Sequence, residues 1–131
     1  MDGKAIYRRF VDEVVVGGDV DLIDELFAAD AVLPNQGDLD GLRAQVESQK
    51  RGLKLSVNHE HQFVDNDWVI THMSVTGKMI GEFMGHPPTG RTASTQEIEV
   101  ARIVDGRIVE MWSVIDITRV LIDLGLPLSG V

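Results

Sequence analysis

Apolar residues recur at helical spacing in the first part of the chain and at every second position in the later part. Ile6, Phe10 and Val14 stand four apart, and Leu22, Ile23, Leu26 and Phe27 make a second apolar face after Gly17-Gly18-Asp19, which predicts two amphipathic helices. Ala31 to Gly41, containing Pro34, Asn35, Gln36 and Asp38, reads as an irregular loop. Leu42 and Val46, with Leu53 as its furthest extent, predict a short third helix that Asp40 is placed to cap. From Leu55 onward the alternation predicts strands over 55–64, 67–77, 93–104 and 107–116, rich in Val, Ile and Thr. Asp65-Asn66-Asp67 and Asp105-Gly106 separate them pairwise, and Asp-Gly between alternating runs is a strong hairpin signal. Gly81 to Thr92 holds Pro87 and Pro88, which cannot donate to a ladder, so it is a loop. After Asp116 the spacing is helical again, with Val120, Leu121 and Leu124 apolar and Gly125 as the stop.

Helices first, an antiparallel sheet second and one closing helix give an α+β fold with N-terminal helices and a short C-terminal helix on one face of a curved antiparallel sheet. At 131 residues the chain is one domain, 1–131, large enough to enclose a pocket. Twelve Lys and Arg against 21 Asp and Glu, a net charge of −9, repel phosphate backbones and anionic lipid heads, which argues against nucleic acid and membrane surfaces as partners. With no cysteine, disulfides, thiolate nucleophiles and cysteine metal sites are excluded. No apolar run approaches the roughly 18–20 residues that span a bilayer, so a cytoplasmic protein is expected.

Glu97 and Glu99, two apart on a strand, leave on the same face. In a pocket, desolvation and mutual repulsion would raise the pKa of one and set a proton donor beside a carboxylate, a pair suited to acid/base work on enols, epoxides or hydroxyls. On a solvated face the same pair is merely polar. His72, among apolar or small neighbours, is either a proton carrier facing the cavity or a hydrogen-bonded sheet histidine. His59 and His61 share a strand face by the same spacing, too little to make a metal site, and none is expected. Asn35 and Gln36, at the tip after the second helix, are candidates to hydrogen-bond a substrate oxygen at a pocket mouth, although turn chemistry accounts for Asn35 equally well. Asp116 sits where a carboxylate caps a helix or borders the pocket. Trp112 and Met111, with Met73, Met79 and Met84, offer apolar surface for a pocket wall or a dimer face. His86, before the two prolines, reads as a surface histidine. No phosphate cradle, nucleophile elbow or dinucleotide fingerprint is present, and no cofactor is expected.

The segment Gly81-Glu82-Phe83-Met84-Gly85-His86-Pro87-Pro88-Thr89-Gly90-Arg91, then Ala101-Arg102-Ile103-Val104-Asp105-Gly106-Arg107-Ile108-Val109-Glu110, then Trp112, Asp116 and Leu124-Gly125, resembles the SnoaL-type polyketide cyclases of the nuclear transport factor 2-like superfamily. The resemblance implies a cone of curved sheet, a homodimer, and a pocket that points positions 97 and 99 inward. The aspartate these cyclases use as acid/base falls at Ser113, and a Gln and a His correspond to Glu97 and Glu99, so the resemblance implies a pocket refitted for a different proton-transfer set.

Three functions follow. The first is a cofactor-independent cyclase or isomerase of natural-product biosynthesis, acting on a small hydrophobic organic substrate such as a polyketide, with Glu97, Glu99 and His72 moving protons and Asn35, Gln36, Met111, Trp112, Ser113 and Asp116 contacting substrate. The second, an epoxide-opening hydrolase or ether-forming cyclase, requires two carboxylates facing each other across the cavity. The third, a non-catalytic binding or dimerisation module, fits an interior closed by Met and Leu. A dimer face is expected on the uncovered side of the sheet, where Ile98, Val100 and Trp112 offer apolar surface.

Overall fold

The computed structural model describes residues 2–128. Asp2 caps the first helix by accepting the Ala5 N–H at 2.8 Å. That helix, α1 (Gly3–Arg9), runs on as a π-helical stretch, Phe10–Val16. After the Gly17-Gly18 corner a 3-10 turn, Val20–Leu22, leads into the single-turn α2 (Ile23–Leu26). Ile6, Phe10 and Val14 are all buried, as their spacing requires. Tyr7, Phe10 and Phe27 interlock edge to face, with centroids 5.6 and 5.0 Å apart, and fix the helix on the sheet.

The expected second helix is cut short. Phe27 does not continue it but opens a strand, β1 (Phe27–Val32), which pairs in parallel with the last strand. The sheet is therefore mixed at one edge. Its other four strands, β2 (Leu53–Asp65), β3 (Trp68–Met79), β4 (Thr92–Val104) and β5 (Arg107–Ile115), are antiparallel, in the order β1-β5-β4-β3-β2. Asp105 and Gly106 both take positive φ (51° and 76°), the two-residue turn whose twist matches that of the strands it joins. The third helix, α3 (Leu39–Gly52), spans 14 residues rather than a short segment, and its cap is Asp38, which accepts the Gly41 N–H, rather than Asp40. Leu53 lies outside it and starts β2.

The closing helix α4 (Ile117–Leu124) begins at Asp116, whose carboxylate accepts the Arg119 N–H at 3.0 Å, and ends on Gly125 at φ 77°. It packs Val120, Leu121 and Leu124 against Met79 and Ala93 in a second core. Residues 80–91 form the expected loop, with a small turn in which Phe83 and His86 exchange backbone hydrogen bonds. Gly81 and Gly52 let this loop lie directly on the end of α3, since a Cβ on either would collide with backbone carbonyl oxygens.

Candidate active site

The concave face of the sheet, the π-helical stretch, α3 and α4 enclose a cavity of about 420 Å³, the volume of a small-molecule pocket. Val57, Met73 and Met111 supply apolar wall from the strands, Phe10 and Val46 from the helices, and Phe83 and Met84 from the loop. Polar residues are the minority of the lining, and among the described residues none lining the cavity is Lys, Arg or His.

Strand alternation sets which side chains enter. On β4, Glu97 and Glu99 point inward and Ile98 is exposed between them. Ser113 on β5 lies directly opposite Glu99 in the ladder, and its hydroxyl donates to Glu99 Oε2 at 2.8 Å. Glu99 is 7 % exposed, and Glu97 is half-buried at the cavity wall. Burial pushes the Glu97 carboxyl up to about 8, the neighbouring Glu99 charge adding to the effect. Burial raises Glu99 as well, while the Ser113 hydroxyl it accepts, with Tyr7 and Glu97 nearby, acts the other way and favours its charged form. One proton shared between the two carboxyls follows from their proximity.

Two further groups frame the pair. The Ser113 N–H donates to Asn35 Oδ1 at 2.8 Å, so the loop residue Asn35 is committed to holding β5 while it lines the cavity. Gln36, also in the lining, keeps its Oε1 buried without a protein partner, a polar atom that a ligand hydroxyl or N–H would satisfy. This loop leans on Gly41: a Cβ there would run into the Gln36 carbonyl oxygen. Gly41→Ala is therefore expected to cost about 1–3 kcal/mol and to release Asn35 from Ser113. Denaturant unfolding, with the Ser113 amide resonance as local reporter, checks it.

Six of the nine residues expected from sequence thus meet in the cavity: Asn35, Gln36, Glu97, Glu99, Met111 and Ser113. Three do not. His72 lies on the outer face of the sheet, because its neighbours Thr71 and Met73 point inward; its ring bonds His61 (Nδ1 to Nδ1, 3.1 Å) and Gln96. Trp112 is 47 % exposed on that same outer face and donates to Glu110, as alternation from Met111 and Ser113 demands. Asp116 is spent on the α4 cap. His59 and His61 are separated by a bulge in β2, which breaks the expected sharing of one face: His59 bonds Asp12 at 2.8 Å and His61 meets His72. No cluster of three or more metal-binding side chains occurs among the described residues.

Tyr7 is the group that sequence reasoning missed. It is the chain's single tyrosine, fully buried on the apolar face of α1, with its hydroxyl donating to Met111 Sδ at 3.2 Å and its phenol raised well above the ordinary value by burial and the nearby Glu99 charge. The signal was a polar tip at a position that the helical spacing makes core.

The architecture has relatives. Among solved structures, the chain superposes on IdmH from Streptomyces antibioticus with a TM-score of 0.81 at 28% identity, over 96% of this chain and 100% of that one. TsrD from Streptomyces laurentii shares the fold, with a TM-score of 0.83 at 22% identity over 97% and 99% of the two chains. By sequence, 60 residues are 35% identical to nogalonic acid methyl ester cyclase of Streptomyces nogalater, 46% of this chain and 45% of that protein. A 42-residue segment is 40% identical to aklanonic acid methyl ester cyclase AcmA of Streptomyces galilaeus, 32% of this chain and 29% of that protein. The chain thus aligns with less than half the length of these curated relatives. The family model of SnoaL-like polyketide cyclase matches residues 5–124, from α1 through the cavity strands to the end of α4, and the chain belongs to that family.

Proposed function

We propose that the protein is a cyclase or isomerase of polyketide or related natural-product biosynthesis, working by proton transfer from the Glu97–Glu99 pair with no cofactor. The observation that carries this reading is a pair of adjacent carboxyls, one held protonated near neutral pH, at the wall of a mainly apolar cavity with no cationic side chain in its described lining. Such a cavity folds a flexible, uncharged substrate against the pair, and holding reacting atoms about 3–3.5 Å apart supplies on the order of 7–11 kcal/mol of barrier reduction. A carboxylic acid beside a carbonyl donates to the oxygen as an enol or alkoxide forms, and the neighbouring carboxylate accepts the proton that leaves the substrate carbon, so the pair gives one proton and takes one back. An intramolecular ring closure of this kind leaves the mass of the substrate unchanged.

The carboxyls lie side by side on one strand rather than across the cavity, which disfavours the epoxide-opening arrangement. An open cavity with an unpartnered Gln36 oxygen supports a ligand in the pocket and speaks against a module that only dimerises; turnover, which the next experiment measures, separates the cyclase from a non-catalytic binder. The test uses the named substrates of the relatives, nogalonic and aklanonic acid methyl esters. Wild-type protein is expected to convert at least one to an isomer of equal mass; failure on both and on other polyketide esters sinks the assignment.

The reading includes a homodimer through the outer sheet face. Ile70, Ile98, Trp112 and Val114 lie there in adjacent ladder positions, 36–70 % exposed. Sedimentation is expected to give a dimer at micromolar concentration and a monomer after Trp112→Glu with Val114→Glu. A monomeric wild type contradicts it.

A further inference from the structure

The loop over 80–91 contains a two-residue turn closed by Phe83 and His86, whose backbone N–H groups each donate to the other's carbonyl oxygen, at 3.1 and 3.0 Å. Both central residues take positive φ, Met84 at 52° and Gly85 at 78°, as a type I′ turn requires. That conformation brings Cβ close to a carbonyl oxygen; Gly has no Cβ, and Asn and Asp compensate with short polar side chains that bond locally. The fold follows this preference elsewhere. Among the described residues, the other non-glycine positions with positive φ are Asn66 and Asp105, each between two paired strands. Met84 is the exception, and a long apolar side chain in the left-handed region is an outlier.

The packing of the turn does not call for a methionine, because Phe83 anchors it on the second core. Met84 lines the cavity with 49 % of its surface exposed, which places it at the mouth. A strained backbone and a large apolar side chain in water thus coincide at one point of the cavity wall. Such outliers persist at ligand clamps, where the placement of the side chain serves a bound molecule. We propose that Met84 is a specificity-determining contact: the turn holds its thioether at the mouth, where it closes over an apolar ring of the ligand. A thioether is polarisable and adapts to flat unsaturated rings, and a polar group at that end of the ligand would lose its water against it. The inference rests on the reading of the cavity as a site for an organic molecule, and not on the proton chemistry of Glu97 and Glu99.

The test uses the full chain labelled with carbon-13 at the methionine methyls and titrated with N-phenylnaphthylamine, a neutral aromatic fluorophore. Met84→Leu assigns the Met84 resonance, and Met73 and Met111, which also line the cavity, report its occupancy. All three resonances are expected to move on titration. By fluorescence, Met84→Asn and Met84→Ala should bind the probe about 3–10-fold more weakly, the loss of roughly half the burial of one methionine. Met84→Leu, which keeps the apolar bulk, should stay within about twofold of wild type. Of the two shorter variants, Met84→Asn should unfold at the higher urea concentration, since it alone relieves the backbone. Shifts at Met73 and Met111 with Met84 unmoved overturn the proposal and leave the cavity reading standing, whereas no shift at any of the three overturns both. Wild-type affinity in folded Met84→Asn and Met84→Ala also overturns it, as does equal stability of those two variants.

Discussion

Glu97→Gln is expected to lower kcat by about 10²–10⁴-fold while leaving KM nearly unchanged, the range that general acid catalysis supplies. Glutamine keeps the shape and a donor N–H at the cavity wall but has no proton to give. The pH profile provides the second arm. With the Glu97 carboxyl at about 8, the protonated form that donates is lost as pH rises through that value, so wild-type kcat should fall above about pH 8. Steady-state turnover from pH 6 to 10 checks both points. A Glu97→Gln enzyme within a few-fold of wild type removes Glu97 from the chemistry, and so does a profile flat through pH 9.

The residues that escaped sequence reasoning did so for definable reasons. The long strands were legible because Val, Ile and Thr alternate with polar residues and because Asp105-Gly106 can only be a turn. β1 was not: Ala28-Ala29-Asp30-Ala31 contains no β-branched residue, and its strand conformation comes from parallel pairing with a partner about 80 residues away. α3 looked short because Gly41 and the polar run Glu47 to Arg51 hide its period, and its length is settled by burial of Leu42 and Val46 against the cavity.

Within the site, parity decided more than residue type. Once Met111 and Ser113 are placed inward, Trp112 must face out, and the same rule sends His72 outward when Met73 lines the cavity. Both faces of this sheet carry apolar residues, the inner for the cavity and the outer at Ile70, Ile98 and Val114. Alternation therefore gave the period without the sign. Only the Glu97–Glu99 pair was readable as a unit, because two ionisable residues at i, i+2 share a fate whichever face they take. The bulge between His59 and His61 shows the limit of that rule, since one extra residue in β2 sends the pair to opposite faces. Tyr7 was hidden by its company: on a helix face with Ile6, Phe10 and Val14 it reads as core, and its hydroxyl matters only because Met111 and Glu99 lie beneath it.

The same protonation that equips Glu97 for catalysis makes the fold less stable in alkali, and the sign follows from linkage. The folded-state carboxyl is raised to about 8 from an ordinary value of 4.5, so between those limits the folded chain holds a proton that the unfolded chain has released. The contribution is fully present below about 4.5, declines by on the order of 1.4 kcal/mol per pH unit as pH rises, and is exhausted above about 8. This is opposite to the usual ion-paired carboxylate, which loses its contribution in acid. Glu97→Gln cannot ionise, so its unfolding free energy should gain on the wild type steadily from pH 5 to 8 and level off beyond, by several kcal/mol in all. Urea unfolding of the two proteins at matched pH measures the difference, and parallel curves would show that Glu97 carries no raised pKa in the folded state. The expected variant is inactive yet more stable in alkali, because a buried acid held ready in an apolar cavity has been exchanged for a neutral amide.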